Sequence, residues 1–555
     1  MGYNKDIVIK IGRVVMAVYL NTKRQLENYK ALYRKKYFVD KSLIIEKLNE
    51  LICTDDRYVC ITRPRRFGKS SVINMLGAYY TNAFNSNDIF DNLEISKCET
   101  YEDNLNKYNV ISISFNKIPE HSNTFKDYMS MIKESLIMDI KEAYPNIKVE
   151  NYFTISDMLM DTGDKFIFIF DEWDYIFNND LFEENQNEFL EFLRNLLKDQ
   201  PYVALAYMTG VLPIKKYSSG SALNMFDEYT FLKDRIYDEY FGFTDDEVND
   251  LCNKNKLIDF KYLEKWYNGY LTAKGTRIYN PRSVVKALQN GYCESYWTNT
   301  GAMEEVKEYL KYNTLDIRED VIAMVAGEEV DITINEEFRA GQGQPKTKKE
   351  IYSAMIILGF LSYHDGYIKI PNKELMYEFE KAIKDESFGE VSEIIEKSRN
   401  MLKATVNRDT EVVKKILHDI HNSEIPILQY NDENSLACVL TLAYLCARDT
   451  YRVEREEALA HLMNSKNEFS EQAHPTVVGC SNKIYADFTF HPRRKNDIAF
   501  IVELKKDENV DVALNQIKEK EYIQKFKKEN NEVLAVAICY DSKRKEHSCK
   551  IEKIN

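Results

Sequence analysis

Five apolar residues in a row that end on two acids limit what this chain can fold into more than any other stretch: Phe166 to Phe170, then Asp171 and Glu172, in KFIFIFDEWD. A strand with one face in water alternates apolar and polar side chains, so a strand apolar at every position is covered on both faces. The run therefore predicts a central strand of a parallel sheet with helices on either side, an α/β domain. Such sheets present functional groups at the carboxyl ends of their strands. Asp171 falls at that end.

A second stretch supplies phosphate chemistry. ITRPRRFGKSSVINML, residues 61–76, continues the β-branched run YVCIT and leads into apolar residues at helical spacing. Its glycine-lysine pair thus sits between a strand and a helix N-terminus. The phosphate-loop pattern G-x-x-x-x-G-K-S/T would put its first glycine where this chain has Arg63. What remains carries the chemistry: Gly68 lets backbone approach phosphate, Lys69 offers a cation to the β- and γ-oxygens, and the Ser70 hydroxyl is a Mg²⁺ ligand. Asp171 would complete the metal shell, while Glu172 orients or deprotonates an attacking water. A third apolar run, YVALAYMTGV at residues 202–211, ends in Thr209, a candidate contact for the γ-phosphate or that water. Many strands end in Thr-Gly for turn reasons alone. The implied cofactors are ATP and Mg²⁺.

YFVDKS at 37–42, RPRRFGKS at 63–70, FDEWD at 170–174, TGVLPIKKY at 209–217, SALNMFDE at 221–228, and WYNGY with YNPRSVV at 266–270 and 279–285 together resemble a bacterial and archaeal AAA-ATPase-like family with a C-terminal nuclease-like domain. In that family arginine commonly replaces the first loop glycine, so the resemblance makes Arg63 a family variant. It also implies that Arg65, Arg66, Phe67, Gly68, Lys69, Ser70 and Ser71 line the nucleotide, with Asn280 or Arg282 as further contacts. The resemblance runs from about Met16 to the C-terminus. The segment before Met16 has no counterpart in it.

At 555 residues and 44% hydrophobic content, the chain is too long for one ordinary core. The expected organisation is an extension at 1–15, a P-loop NTPase domain at 16–243, a helical lid-like region at 244–340, a helical and winged-helix connector at 341–425, and an α/β restriction-endonuclease-like domain at 426–555. Aromatics in the lid region, Trp266 and Tyr270 among them, read as packing residues. AGQGQPKTKKE at 340–350 reads as a loop, and the segment after it as a helix and a hairpin turning at 364–366, an arrangement compatible with a winged helix. HDIH at 418–421 reads as a solvated helix face with no third metal ligand near it in sequence.

Lys10 and Arg13 break the N-terminal apolar run, which excludes a membrane span there. Ten cysteines without a C-x-x-C pair read as reduced thiols of a cytoplasmic protein. The net charge of −14 argues against a globally basic nucleic-acid binder, yet from Ser481 onward 16 Lys and Arg face 13 Asp and Glu. DNA contact is therefore more plausible at the C-terminal end. Nothing in the sequence sets the oligomeric state.

That end holds a second constellation. IYADFTFHP at 484–492 and DIAFIVELKK at 497–506 read as a hairpin, followed by a helix in DVALNQIKEKEYIQKFKK and a buried strand in VLAVAICY. Glu503 and Lys505 lie two apart and so share one strand face. This order, with Asp487 in the first strand, resembles the core of the PD-(D/E)xK nucleases, where two carboxylates hold Mg²⁺ and the lysine handles water. The resemblance further assigns Glu433 as an acidic metal position and Gln516 as an active-site glutamine. It departs at Ala486, where the superfamily has proline, a position without chemistry. The expected function is an ATPase joined to a Mg²⁺-dependent nuclease acting on DNA. The alternative is a regulatory or signalling ATPase whose nuclease-like domain only binds DNA or a protein partner.

Overall fold

The computed structural model describes residues 17–118, 124–214, 223–297, 317–326, 329–334, 338–340, 344–383, 390–423, 433–455, 487–492, 497–519 and 532–554. The N-terminal extension, the turn at 493–496 and Ala486 lie outside them. Two compact units emerge, one of residues 1–302 with 331–376, the other of 303–330 with 377–555.

The first unit is built on five parallel strands: β1 (Tyr58–Thr62), β2 (Asn109–Ser114), β3 (Phe166–Asp171), β4 (Val203–Gly210) and β5 (Asp227–Tyr229). Their spatial order is β2-β3-β4-β1-β5, every pair parallel. Residues 166–170 of β3 are at most 1% exposed, as a strand covered on both faces must be. Helices α1 (Arg24–Tyr33), α2 (Leu43–Asn49) and α3 (Lys69–Tyr80) join one of its cores, which gathers Leu26, Ile44, Leu76, Ile167 and Leu205. Asp139 ties down the start of the described chain: its carboxylate accepts from the amides of Val18, Tyr19 and Leu20.

The region at 244–340 was expected to be helical and lid-like. Helices Asp245–Asn255, Phe260–Tyr267 and Pro281–Asn290 are present, but they frame a small antiparallel sheet of β6 (Phe243–Thr244), β7 (Tyr270–Leu271) and β8 (Arg277–Tyr279). Two-residue strands leave no periodic signal to read. Here Gly269 is required by contact, because it holds a φ of 124° with its α-carbon against the Pro371 backbone, where a Cβ has no room. The helix and hairpin expected after residue 350 form as Lys348–Ile357, which takes in the end of the expected loop, and the pair Ser362–His364 and Tyr367–Lys369, turning on Asp365 and Gly366, both at positive φ. This module packs in the first unit, whereas the helices from Glu390 onward pack in the second. The expected connector at 341–425 is thus divided between two cores.

The second unit carries a mixed sheet of five strands, Tyr451–Arg455, Phe488–Pro492, Ala499–Lys506, Val533–Asp541 and Glu546–Ile554, in that spatial order. All neighbours are antiparallel except Ala499–Lys506 with Val533–Asp541, which are parallel and joined through helix Val510–Glu519. That is the hairpin, helix and strand order expected. Helices Glu390–Val406, Thr410–Ser423 and Glu433–Ala443 contribute Met401, Leu417 and Leu440 to the core on one face of the sheet, and helix Val510–Glu519 covers the other with Leu514 and Ile517.

Candidate functional site

Register sets the geometry of the first site. Thr209 of β4 pairs with Ile61 of β1 on one side and with Asp171 of β3 on the other, so three strand ends stand level at one edge. With strands ~4.8 Å apart, the phosphate loop after β1 and the acid after β3 are separated by about two strand spacings. The loop bridges that gap. Gly68 takes a φ of 96°, open only to glycine at low cost, and caps α3 so that Lys69 and Ser70 begin the helix.

Lys69 is 8% exposed and donates to the carbonyls of Arg63 at 2.8 Å and Pro64 at 2.9 Å. Burial pushes its ammonium down to about 8 against the attraction of Asp174, Asp171 and Glu172. Asp171 moves the other way, up to about 6, through burial and the neighbouring Glu172, opposed by a hydrogen bond from the Ser70 hydroxyl and by Lys69. Its Oδ1 is buried without a hydrogen-bond partner. A buried carboxylate with one oxygen unsatisfied, together with the Ser70 hydroxyl at the start of α3, fits a Mg²⁺ ion, which takes hard oxygen ligands. Glu172 holds a left-handed φ of 50° and lines the cavity beside them. Non-glycine residues in that region are uncommon and concentrate at functional sites.

The cavity measures about 990 Å³. Arg65, Arg66, Phe67, Gly68, Lys69, Ser70, Ser71 and Glu172 line it, joined by Tyr37 and Val39 and by Arg282, Val285 and Lys286 of helix Pro281–Asn290. Arg66 is at a φ of 72°, and its guanidinium pKa is lowered by burial and then by Arg282 and Arg65. Mutual repulsion among three cations is relieved by a bound anion. Arg282 Nε is buried with no hydrogen-bond partner. Phe67 faces inward instead, 1% exposed and edge-on to Tyr270 at 5.1 Å, and it contributes its backbone to the loop. Tyr270 is in the core as expected, its hydroxyl donating to the Gly359 carbonyl.

One sequence reading changes here. Thr209 does not line the cavity: it is fully buried, and its hydroxyl donates to the Ile61 carbonyl at 2.7 Å, inside the sheet. Sealed from water, the hydroxyl takes its hydrogen-bond partner from the neighbouring strand's carbonyl. Asp174 takes a role that sequence reasoning missed. It is 2% exposed and accepts from the amides of Val211 at 2.9 Å and Leu212 at 2.7 Å, which fixes the turn after β4. Gly210 has no side chain because the Asp174 carboxylate occupies that space. Arg63 explains the absent glycine. Its side chain turns into the protein, ion-paired with Asp234, donating to the Tyr229 carbonyl at 3.0 Å and lying over Phe241. The position has no positive φ, so its backbone does not require glycine.

In the second unit, Asp487 precedes Phe488, which pairs with Val502, and its carboxylate accepts from the Leu504 amide at 2.6 Å. Glu503 is fully buried, and Lys505 Nζ stands 3.7 Å from its Oε1. These three are brought together. Gln516 is half-buried on the helix between the parallel strands, and Glu433 begins helix Glu433–Ala443, its side chain outside the described residues. Among the described residues no three His, Cys, Asp or Glu side chains cluster as a metal cage, but two hard carboxylates and an ammonium suit a Mg²⁺ ion that keeps several waters. HDIH is divided: His418 is exposed, as a solvated helix face has it, whereas the second histidine is buried. His421 is 9% exposed and meets His547 across the unit, Nδ1 to Nε2 at 3.2 Å, with Tyr540 against both rings. Burial lowers the pKa of both, His547 to about 3.

Comparison with known proteins matches two stretches of the chain. Residues 25–219 match the family described as predicted AAA-ATPase, and residues 480–549 match the PD-(D/E)XK nuclease superfamily. The chain therefore carries an AAA-ATPase-like domain and a C-terminal PD-(D/E)XK nuclease superfamily domain. No curated protein matches. Similar solved structures include a Walker-type ATPase of Pyrococcus abyssi, 12% identical with a TM-score of 0.35, covering 63% of this chain and 99% of its own. Another is the ORC2 protein of Aeropyrum pernix in ADPNP-ADP complexes, 11% identical with a TM-score of 0.29, covering 68% of this chain and 97% of its own.

Proposed function

We propose that the first unit binds and hydrolyses ATP with Mg²⁺, and that this turnover governs Mg²⁺-dependent cleavage of DNA by the second. The observation that supports it most is the Asp171 Oδ1 atom, buried without a hydrogen-bond partner at the end of β3, together with the sealed Lys69 ammonium of the loop after β1. On binding, Lys69 would exchange its two carbonyl contacts for phosphate oxygens, and Arg65, Arg66 and Arg282 would lose their mutual repulsion to the same anion. Mg²⁺ held by Ser70 and Asp171 supplies charge neutralisation at the phosphates. Glu172 is the base that takes the proton of the attacking water, with Asp174 keeping the turn after β4 in place behind it.

In the second unit Asp487, Glu503 and, by resemblance, Glu433 hold the metal, while Lys505 and Gln516 orient water for attack on a phosphodiester. The partners are nucleotide and DNA. No helix among the described residues is long and apolar enough to cross a membrane, and the eight described cysteines are all free thiols, which suits a cytoplasmic setting. One observation favours a second reading, a regulatory ATPase whose nuclease-like unit only binds DNA or a partner: Glu503 is fully buried against Lys505. Purified protein assayed for ATP turnover, and for cutting of labelled duplex and single-stranded DNA with and without ATP and Mg²⁺, separates the two. Lack of ATP turnover refutes the first half. Turnover without cleavage of any substrate refutes the second and leaves the binding reading.

A further inference from the structure

Glu374 is 1% exposed and sits far in sequence from every motif of the nucleotide cavity. A buried carboxylate needs donors on each oxygen, and this one has them. The Ser283 hydroxyl lies 2.9 and 2.8 Å from its two oxygens, and the amides of Tyr296 and Trp297 each donate to Oε1 at 2.7 Å. Ser283 is the third residue of helix Pro281–Asn290, whose start is also capped by the Asn280 side chain through the amides of Arg282 at 3.0 Å and Ser283 at 3.4 Å. Arg282 and Trp297 both line the cavity. One carboxylate thus ties two separate cavity-lining segments together.

We propose that Glu374 is a positioning residue for nucleotide binding: it fixes the first turn of helix Pro281–Asn290 so that the Arg282 guanidinium reaches the nucleotide phosphates. This rests on the ATP reading of the cavity. A core staple without that role would stabilise the unit but would act independently of Arg282. A positioning residue has no effect on affinity once the group it positions is gone.

The test is equilibrium binding of a fluorescent ATP analogue, with Mg²⁺, to the full chain. Arg282→Ala should weaken binding about tenfold or more, as loss of a charge-assisted contact does. Glu374→Ala should do the same, and the double variant should be within about twofold of Arg282→Ala alone. Glu374→Gln keeps an acceptor for both amides and a donor for Ser283, so it should stay within about threefold of wild type. If Glu374→Ala does not fold, Ser283→Ala takes its place in the same cycle and should show a smaller, equally non-additive loss. Losses that multiply in the double variant, or Arg282→Ala binding as wild type does, would overturn the positioning role. Absence of ATP binding by the wild type overturns the ATP reading and this inference with it.

Discussion

Asp171→Asn should make the nucleotide-free protein more stable at neutral pH while destroying the metal site. The carboxyl pKa is raised from 3.8 to about 6 in the folded state, first by burial and next by Glu172. The folded state therefore holds this proton more tightly than the unfolded chain. Well below pH 3.8 both states are protonated and the residue costs nothing. The cost grows as pH rises from about 4 to about 6, then stays constant. At about 1.4 kcal/mol for each tenfold change in acidity, it reaches about 3 kcal/mol at pH 7. Asparagine never ionises and avoids it. Part of the gain is returned, because the Asp171 charge helps hold the Lys69 proton in a site that lowers its pKa to about 8. A net gain of about 1–2 kcal/mol remains, a rise of about 1–3 °C in the melting temperature of a unit of this size. All three tryptophans, Trp173, Trp266 and Trp297, belong to the first unit, so their fluorescence follows its unfolding without interference from the second. The assay is thermal unfolding by that signal from pH 4 to 8, without nucleotide or metal, and again with ATP and Mg²⁺. The variant's advantage should be absent at pH 4 and full above pH 7, and added ATP and Mg²⁺ should stabilise it less than wild type. An equal advantage at every pH, or none at pH 8, would mean that Asp171 is not a buried, under-satisfied carboxylate.

Lys69→Ala should abolish ATP binding, whereas Glu172→Gln should bind ATP and fail to turn it over; equal loss of affinity in both, measured by titration, would make Glu172 structural. Arg63→Gly, which restores the consensus loop glycine, should cost about 3–5 kcal/mol by leaving Asp234 buried without its cation. Urea unfolding followed by tryptophan fluorescence measures it, and unchanged stability would refute the brace. Asp487→Ala or Lys505→Ala should eliminate metal-dependent cleavage and leave ATP turnover largely intact; variants that cut labelled DNA as well as wild type would remove both residues from the chemistry.

The parallel-sheet domain, its phosphate loop and the hairpin, helix and strand order of the C-terminal sheet were all legible in the sequence. Each depends on periodicity or on residues consecutive in the chain: the unbroken apolar run before Asp171, Gly68 with Lys69 and Ser70, and Glu503 two residues from Lys505. Local backbone geometry translates such spacing directly into a face, an end or a turn. Boundaries were less legible, because the helix-hairpin module after residue 347 buries its apolar face in one core and the helices beyond Glu390 in another. Thr209, Arg63, His421 and Glu374 were not legible in this way. Whether Thr209 faces the cavity depends on Ile61, 148 residues away, and Arg63 owes its direction to Asp234, 171 residues away. His421 is buried by His547, and Glu374 is satisfied by Ser283, Tyr296 and Trp297. A polar group leaves water only where partners replace it. Chemistry carried by neighbouring residues was therefore determined by the sequence alone, while the partners of each buried polar side chain were decided by the tertiary structure, which alone brings distant donors and acceptors within reach.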